Sequence, residues 1–311
     1  MKFIVSRITS IIRECFKPSL KSAIWILKLM IPISLGVVVL QQLGVIEIIS
    51  HFTSPLFELV GLPGESAFVY ITAAFVNIYS AIAVMSTFPF DERAITMLAI
   101  SSLIAHNLII ETAVQKKTGS SAWAMLATRV LLSILSLVVM NLILPSSASM
   151  MKVTGGISTV TFPDALLGWL KSSLTLSLKV VVLVFALNIL QQLLKQLGII
   201  DILSKLLRPI LSVMGLPNRT SFLWIVANTL GLAYGSAVMI TEVENGNISK
   251  EEADLLNYHI AVSHSNLEDM LLFAAVGASV LWMLLLRVGF AIVLVWGVKL
   301  TVYRNHKFEM V

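Results

Sequence analysis

The chain has 311 residues, of which 57% are hydrophobic and 13% are charged, and its mean hydropathy is +0.92. Soluble domains carry roughly twice that share of charge, so the composition excludes a soluble domain and indicates a polytopic membrane protein. The net charge of +5 comes from basic residues beside apolar stretches, which does not indicate a nucleic-acid partner.

Residues 1–21 predict an amphipathic helix that lies on the membrane surface. Lys2, Arg7, Arg13 and Lys17 are interspersed with apolar residues at helical spacing, as in interfacial helices. The same charges interrupt any hydrophobic region of a signal peptide, and no small-residue cleavage site follows.

The predicted elements of the first half run from residue 22 to residue 144. A hydrophobic span at 22–44 precedes an amphipathic stretch at 45–60, which we expect to lie along the membrane interface. The apolar segment 61–85 carries polar residues at its centre, Asn77 among them, that a spanning helix avoids. We predict that this segment enters the membrane, turns near mid-depth and leaves by the same face.

Two more spans complete this half. The helix predicted at 94–114 carries His106 and Asn107 near its centre, and we expect it to be broken there. The last span covers 121–144. A linker rich in Ser, Thr and Gly follows at 145–163.

Residues 164–303 repeat the order of the first half. Leu197–Ser204 matches Leu43–Ser50 at an offset of 154 residues, and beyond the second hairpin the offset becomes 158. Residues 304–311 form a tail. The predicted fold is therefore an all-α polytopic membrane protein with two inverted repeats, each with a span, an interfacial helix, a re-entrant hairpin, a broken span and a span.

The distribution of Lys and Arg favours hairpins over full crossings. With the N-terminus in the cytoplasm, the hairpin topology places fifteen basic residues inside and two outside, whereas full crossings place eleven inside and six outside. The positive-inside rule prefers the first distribution. We therefore predict a multi-pass protein of the cell membrane with both termini in the cytoplasm.

Four ionisable residues fall inside predicted spans, where each costs about 2.5–3.5 kcal/mol on insertion scales. Glu111 precedes Arg129 by one helix, and Asp269 precedes Arg287 in the same way. We predict the intramembrane ion pairs Glu111–Arg129 and Asp269–Arg287. The alternative is that both arginines extend to the membrane surface independently.

Further polar residues lie where a solute path is expected: at hairpin starts, at hairpin tips and at the helix breaks. The candidates are Glu65, Ser66, Asn77, His106, Asn107, Thr220, Ser221, Asn228, Tyr234, Ser236, His264, Ser265 and Asn266. The alternative is that they cap helices or hydrogen-bond neighbouring helices.

Enzyme and cofactor motifs are missing from the sequence. There is no P-loop, no Cys/His set at metal-ligand spacing and no nucleophile-plus-base arrangement. We therefore predict no enzymatic activity, no cofactor and no resident metal.

The segments Gly61–Ala67 and Gly231–Met239 resemble nucleoside-recognition (gate) domains. Similar modules occur in spore maturation proteins A and B, in the membrane part of ferrous-iron transporter B and, distantly, in concentrative nucleoside transporters. The resemblance implies inverted repeats with re-entrant hairpins. It also implies ligand contacts at hairpin starts and broken helices, here Glu65, Ser66, His106, Asn107, Thr220, Ser221, His264, Ser265 and Asn266.

Three functions are compatible with these features. The first is transport of a small polar solute, with a nucleoside among the candidates, by alternating access of the two hairpins. The second is a route for a divalent cation such as ferrous iron, and the third is a non-transporting membrane scaffold. For the cation route, nitrogen and oxygen ligands are offered by His106, His264, Glu111 and Asp269. The expected partners are the lipid bilayer and the solute or cation. The sequence is also compatible with a homo-oligomer.

Overall fold

The computed structural model describes residues 2–145, 161–304 and 308, with the backbone alone for residues 2–9 and 233. This part of the chain is helical and contains no β-strand. The helices of the first half are α1 (Lys2–Gln42), α2 (Val45–Glu58), α3 (Ser66–Phe75), α4 (Ile78–Met85), α5 (Glu92–Ala105), α6 (Leu108–Lys117) and α7 (Ala122–Ile143). Those of the second half are α8 (Phe162–Gln196), α9 (Ile199–Val213), α10 (Ser221–Thr229), α11 (Leu232–Glu244), α12 (Lys250–Val262), α13 (Asp269–Ala274) and α14 (Val280–Thr301).

Five helical segments of the described chain are long and apolar enough to cross a membrane. They are Ser10–Gln42, Glu92–Lys117, Ala122–Ile143, Phe162–Gln196 and Val280–Thr301. A helix of about 20 residues spans the hydrocarbon core. The predicted fold class is confirmed: the chain is an all-α polytopic membrane protein.

The first hairpin consists of α3 and α4, which are separated by Asn77. Asn77 has an extended backbone, and its side chain accepts a hydrogen bond from the backbone N–H of Ser80 at 2.8 Å, which caps α4. The rings of Phe68, near the start of α3, and Phe88, just after α4, lie 6.3 Å apart. The chain therefore returns to where it entered, as predicted.

The second hairpin consists of α10 and α11 and turns at Gly231. Its φ of +86° is a conformation that L-residues with a side chain rarely adopt. The two arms pack so closely that a Cβ on Gly235 would lie 3.0 Å from Cα of Ala227. Tyr234, predicted near the tip, lies about one turn after it because the glycine sets the turn.

The first helices of the two halves, α1 and α8, pack antiparallel. Near one end Glu14 Oε2 accepts a hydrogen bond from Gln196, and near the other Ser34 Oγ accepts one from Trp169. Between them Cys15 Sγ lies 3.7 Å from the backbone oxygen of Asn188. Equivalent helices thus run in opposite directions, which is the arrangement of an inverted repeat.

The helices α5 and α12 hold matching places at the centre. Met97–Ile100 and the pair Leu255 and Leu256 have no exposed surface, so protein surrounds both helices. The outer faces of α7 and α14 are apolar and open, with Trp123 exposed by 81% and Val293 by 73%. Such faces suit contact with lipid.

One predicted boundary differs in the structure, and two predicted segments lie mostly outside the described residues. α1 continues from Lys2 to Gln42 with Pro18 and Pro32 inside it, so the surface segment predicted to end at residue 21 is not a separate helix. Most of the predicted linker 145–163 and of the tail 304–311 lies outside the described residues.

Candidate functional site at the two helix breaks

Both central helices break at the predicted positions, and each break contains one residue with a left-handed backbone. The first break, residues 106–107, separates α5 from α6, and the second, residues 263–268, separates α12 from α13. Asn107 and Ser265 have left-handed φ values of 47° and 49°, which are uncommon for residues other than glycine.

Each break is held by the hairpin of its own half. The N–H of Asn107 donates to the carbonyl oxygen of Ala73 at 3.0 Å, and the N–H of Ser265 donates to that of Ala227 at 3.1 Å. Ala73 and Ala227 are matching residues in the first arms of the two hairpins. A displacement of either hairpin arm therefore acts directly on the broken helix behind it.

The buried arginines satisfy carbonyl groups that the breaks leave free. Arg129 donates through Nε to Ile104 at 2.9 Å and through Nη2 to the backbone of His106. Arg287 donates in the same way to Val262 at 3.0 Å and to the backbone of His264 at 2.6 Å. A helix end in lipid needs such partners. Both arginines have no exposed surface, so neither reaches the membrane surface.

Only one of the two predicted ion pairs forms. Arg129 Nη2 lies 2.7 Å from Glu111 Oε2, which agrees with the prediction. In contrast, the structure gives no ion pair between Arg287 and Asp269 among the described residues. The second break is longer, and it brings the side-chain oxygen of Asn266 to 2.9 Å from Arg287 Nη1.

The carboxylate of Asp269 instead faces the other half of the chain. Its Oδ2 lies 3.5 Å from Nε2 of His106. His106 Nε2 also lies 3.0 Å from Glu111 Oε1, and His264 Nε2 lies 3.3 Å from Glu111 Oε2. The two imidazole rings are 5.1 Å apart. We call His106, Glu111, His264 and Asp269 the central cluster.

Backbone contacts fix the protonation of both rings at Nδ1. His106 Nδ1 lies 3.1 Å from the carbonyl oxygen of Leu103, and His264 Nδ1 lies 2.6 Å from that of Ile260. A carbonyl oxygen only accepts, so each Nδ1 carries a hydrogen and each Nε2 of a neutral ring presents a lone pair. All four side chains of the central cluster are buried.

Other predicted residues join the second hairpin to the second break. The side-chain nitrogen of Asn266 donates to the side-chain oxygen of Asn228 at 2.6 Å. Ser236 is buried in α11, whereas Tyr234 is exposed and its ring faces Lys195 at 4.8 Å. The structure therefore places Tyr234 toward α8 and away from the central cluster.

The predicted residues at the hairpin starts do not reach the central cluster. Thr220 Oγ1 donates to the carbonyl oxygen of Pro217 at 2.7 Å, which is a local turn contact. The hydroxyl groups of Ser66 and Ser221 are buried without a hydrogen-bond partner among the described groups. Glu65 lines a separate cleft.

This cleft has a volume of about 1080 Å³ and is bounded by α1, α2, the base of the first hairpin and α8. Its lining is acidic, because it holds five carboxylates and one arginine: Glu47, Glu58, Glu65, Asp91, Asp164 and Arg93. Arg93 donates to the backbone of Gly61 at 3.0 Å and to Asn141 at 2.6 Å. The cleft was not predicted because its walls come from both halves.

The polar contact between the first hairpin and the second break was also missed. Tyr79 OH donates to Glu268 Oε1 at 2.8 Å, and Gln191 of α8 donates to Glu268 Oε2 at 3.2 Å. Polar residues inside an apolar hairpin and a broken span are the only sequence signal for this contact, and they do not indicate which residues meet.

Comparison with known proteins places the chain beside one membrane protein. It is 32% identical over 278 residues to a protein of Bacillus subtilis (strain 168) called "Uncharacterized membrane protein YvoD". The aligned region covers 88% of this chain and 89% of that protein. No family model matches the chain, and no solved structure matches it. The resemblance to gate domains stays a prediction.

Proposed function

The chain belongs to the family of the membrane protein YvoD, and we propose that it moves a small polar solute across the membrane by alternating movements of its two hairpins. The observation that carries this proposal is the repeated contact between hairpin and break: Asn107 with Ala73 and Ser265 with Ala227. Irregular backbone at membrane depth is tolerated where it is buried in protein or lines a cavity. Paired broken helices and inverted repeats are typical of secondary transporters.

A contact between the halves supports coordinated movement. Tyr79 belongs to the first hairpin, whereas its acceptor Glu268 belongs to the second break. Glu268 also accepts from Gln191 of α8. Because one carboxylate bonds to elements of both halves, a movement of the first hairpin changes the environment of the second break.

The acidic cleft supports a solute class. Five carboxylates and one arginine give its walls a negative field, which attracts positively charged solutes and repels anions. The cleft is larger than needed for a single ion, since ligand pockets for small molecules are about 300–1,000 Å³. We therefore expect a neutral or positively charged polar solute, such as a nucleoside or an amine, in preference to an anion.

The experiment is a binding screen with the purified chain in detergent. Thermal unfolding is measured with neutral, cationic and anionic polar solutes, and we expect stabilisation by members of the first two classes only. At a concentration 100 times the Kd, a ligand stabilises by about 2.7 kcal/mol. If no solute of any class shifts the transition, the scaffold function is the better account and the proposal fails.

A pair of matched variants tests whether the solute binds in the acidic cleft. Glu65→Gln removes one carboxylate from the lining, whereas Glu14→Gln removes one that lies outside it between α1 and α8. We expect the first change to weaken binding of a cationic solute and the second to leave it unchanged. Equal effects would place the solute elsewhere.

A further inference from the structure

We infer that the central cluster binds one divalent transition-metal ion, with His106, His264 and Glu111 as ligands and Asp269 as an additional oxygen ligand. The inference does not depend on transport, because it concerns a site that is separate from the acidic cleft. The sequence predicted no resident metal, although its alternative of a cation route drew on the same four residues. These ligands come from both halves, and in each half a histidine precedes an acidic residue by five positions: His106 and Glu111, His264 and Asp269.

The first argument is that hydrogen-bond acceptors of the central cluster point at one another. The Nδ1 hydrogens of both rings are committed to backbone carbonyls, so each neutral ring directs a lone pair at a carboxylate. Glu111 offers Oε1 at 3.0 Å to His106 and Oε2 at 3.3 Å to His264. Facing lone pairs repel unless a positive charge lies between them. His264 Nε2 has no hydrogen-bond partner among the described groups.

The second argument is distance. Metal–ligand bonds of about 2.0–2.2 Å to imidazole and carboxylate place neighbouring ligand atoms about 3.0–3.5 Å apart at tetrahedral or octahedral angles. Three separations between an imidazole Nε2 and a carboxylate oxygen of the central cluster are 3.0, 3.3 and 3.5 Å. The ligand atoms of His106, Glu111 and His264 all lie within 4.8 Å of one another. A single proton joins two acceptors, whereas a metal ion joins all of them.

The third argument concerns the type of ion. Two imidazole nitrogens with carboxylate oxygens suit zinc and other first-row transition metals, whereas calcium and magnesium prefer oxygen ligands. The carbonyl groups behind each Nδ1 provide the outer contacts that orient metal-bound imidazoles. Arg129 binds the same carboxylate at 2.7 Å and opposes a further positive charge. We therefore expect exchangeable binding that a chelator reverses.

The experiment uses the full chain purified in detergent without a polyhistidine tag. Cobalt(II) is titrated while visible absorption is recorded, and the bound metal is measured after dialysis. His106→Asn and His264→Asn are the variants, because an asparagine amide can donate to the same carbonyl while lacking Nε2. The control is His51→Asn, since His51 is exposed on α2.

We expect one cobalt ion per wild-type chain, with at least a tenfold loss of affinity in each variant and none in the control. Mutation of an outer-shell partner of a metal ligand already costs about 10–100-fold in metal affinity, so removal of a direct ligand should cost at least as much. Absence of saturable binding, or equal affinity of wild type and both variants, would overturn the inference. It would then favour protons as the charges between these acceptors.

A measurement on wild-type protein covers the case in which the variants do not fold. X-ray absorption of protein loaded with one equivalent of zinc should show scattering from two imidazole rings. Zinc bound with one imidazole or none would overturn the inference. Because neither measurement includes a solute, failure here leaves the solute screen and the proposed transport unaffected.

Discussion

His106 and His264 belong to different halves of the chain, yet their imidazole rings lie 5.1 Å apart. Each ring follows the end of a central helix, and the backbone of each residue accepts a hydrogen bond from a buried arginine. The inverted repeat therefore brings two copies of one structural unit together at the centre. The copies share Glu111, which contacts both rings.

The two arginines should differ in how strongly each is coupled, in the free energy of unfolding, to the acidic residue of its own half. Arg129→Leu removes the arginine that pairs with the buried Glu111 carboxylate, at a cost of about 3–5 kcal/mol, and Glu111→Gln with Arg129→Leu should recover part of this loss. The pair Asp269→Asn and Arg287→Leu should show a smaller coupling, because Arg287 contacts Asn266 instead.

Double-mutant cycles measure both couplings from reversible unfolding in mixed micelles. The second pair is the control for the first, since both arginines are fully buried and cap the same kind of helix end. A coupling for Asp269–Arg287 as large as that for Glu111–Arg129 would contradict the geometry described.

The second hairpin should not tolerate a side chain where its arms meet. In Gly235→Ala the new Cβ lies 3.0 Å from the backbone and side chain of Ala227, so the arms must separate. Overpacking of this kind costs about 1–3 kcal/mol. Gly289→Ala in α14 is the control, because its Cβ meets nothing within 4 Å and alanine favours the helix by up to about 1 kcal/mol.

Thermal unfolding of both variants in the same detergent provides the measurement. We expect Gly235→Ala to unfold at a lower temperature than wild type and Gly289→Ala at an equal or higher one. If both glycine changes shift the transition equally, the close packing of α10 and α11 would be refuted.

The antiparallel packing of α1 and α8 can be tested with the native cysteine. Cys15 Sγ lies 3.7 Å from the backbone of Asn188, so Asn188→Cys should form a disulfide with Cys15 under mild oxidation. Leu167→Cys is the control, because it lies near Trp169, which contacts Ser34 at the other end of α1. Crosslinking of Leu167→Cys but not of Asn188→Cys would mean that the two helices run parallel.

Much of the fold could be predicted because the duplication supplies each signal twice. Gly44 and Gly198, Gly61 and Gly215 are pairs at one offset, and all four have positive φ. Such turns can be predicted from the sequence because glycine adopts positive φ values readily. The second hairpin turns at Gly231, and Tyr234, which was predicted near the tip, follows it by about one helical turn.

The site was harder to predict because its contacts depend on tertiary structure. The sequence indicates that Arg129 and Arg287 need partners in lipid, but the carbonyl groups at each break become available only when the helix ends. The pairing of Asp269 with His106 joins residues 163 positions apart in opposite halves. No periodicity or spacing records that contact.

The central claim is that the two hairpins move a solute across the membrane, and counterflow in proteoliposomes tests it most directly. Vesicles containing the chain are loaded with an unlabelled solute that stabilises the protein, and entry of the labelled solute is followed. We predict saturable uptake above protein-free vesicles that is slower in Tyr79→Phe, which loses the contact with Glu268. Tyr303→Phe, which loses a hydrogen bond to Asp254, should leave uptake unchanged. Uptake no faster than in protein-free vesicles for every stabilising solute would contradict the claim.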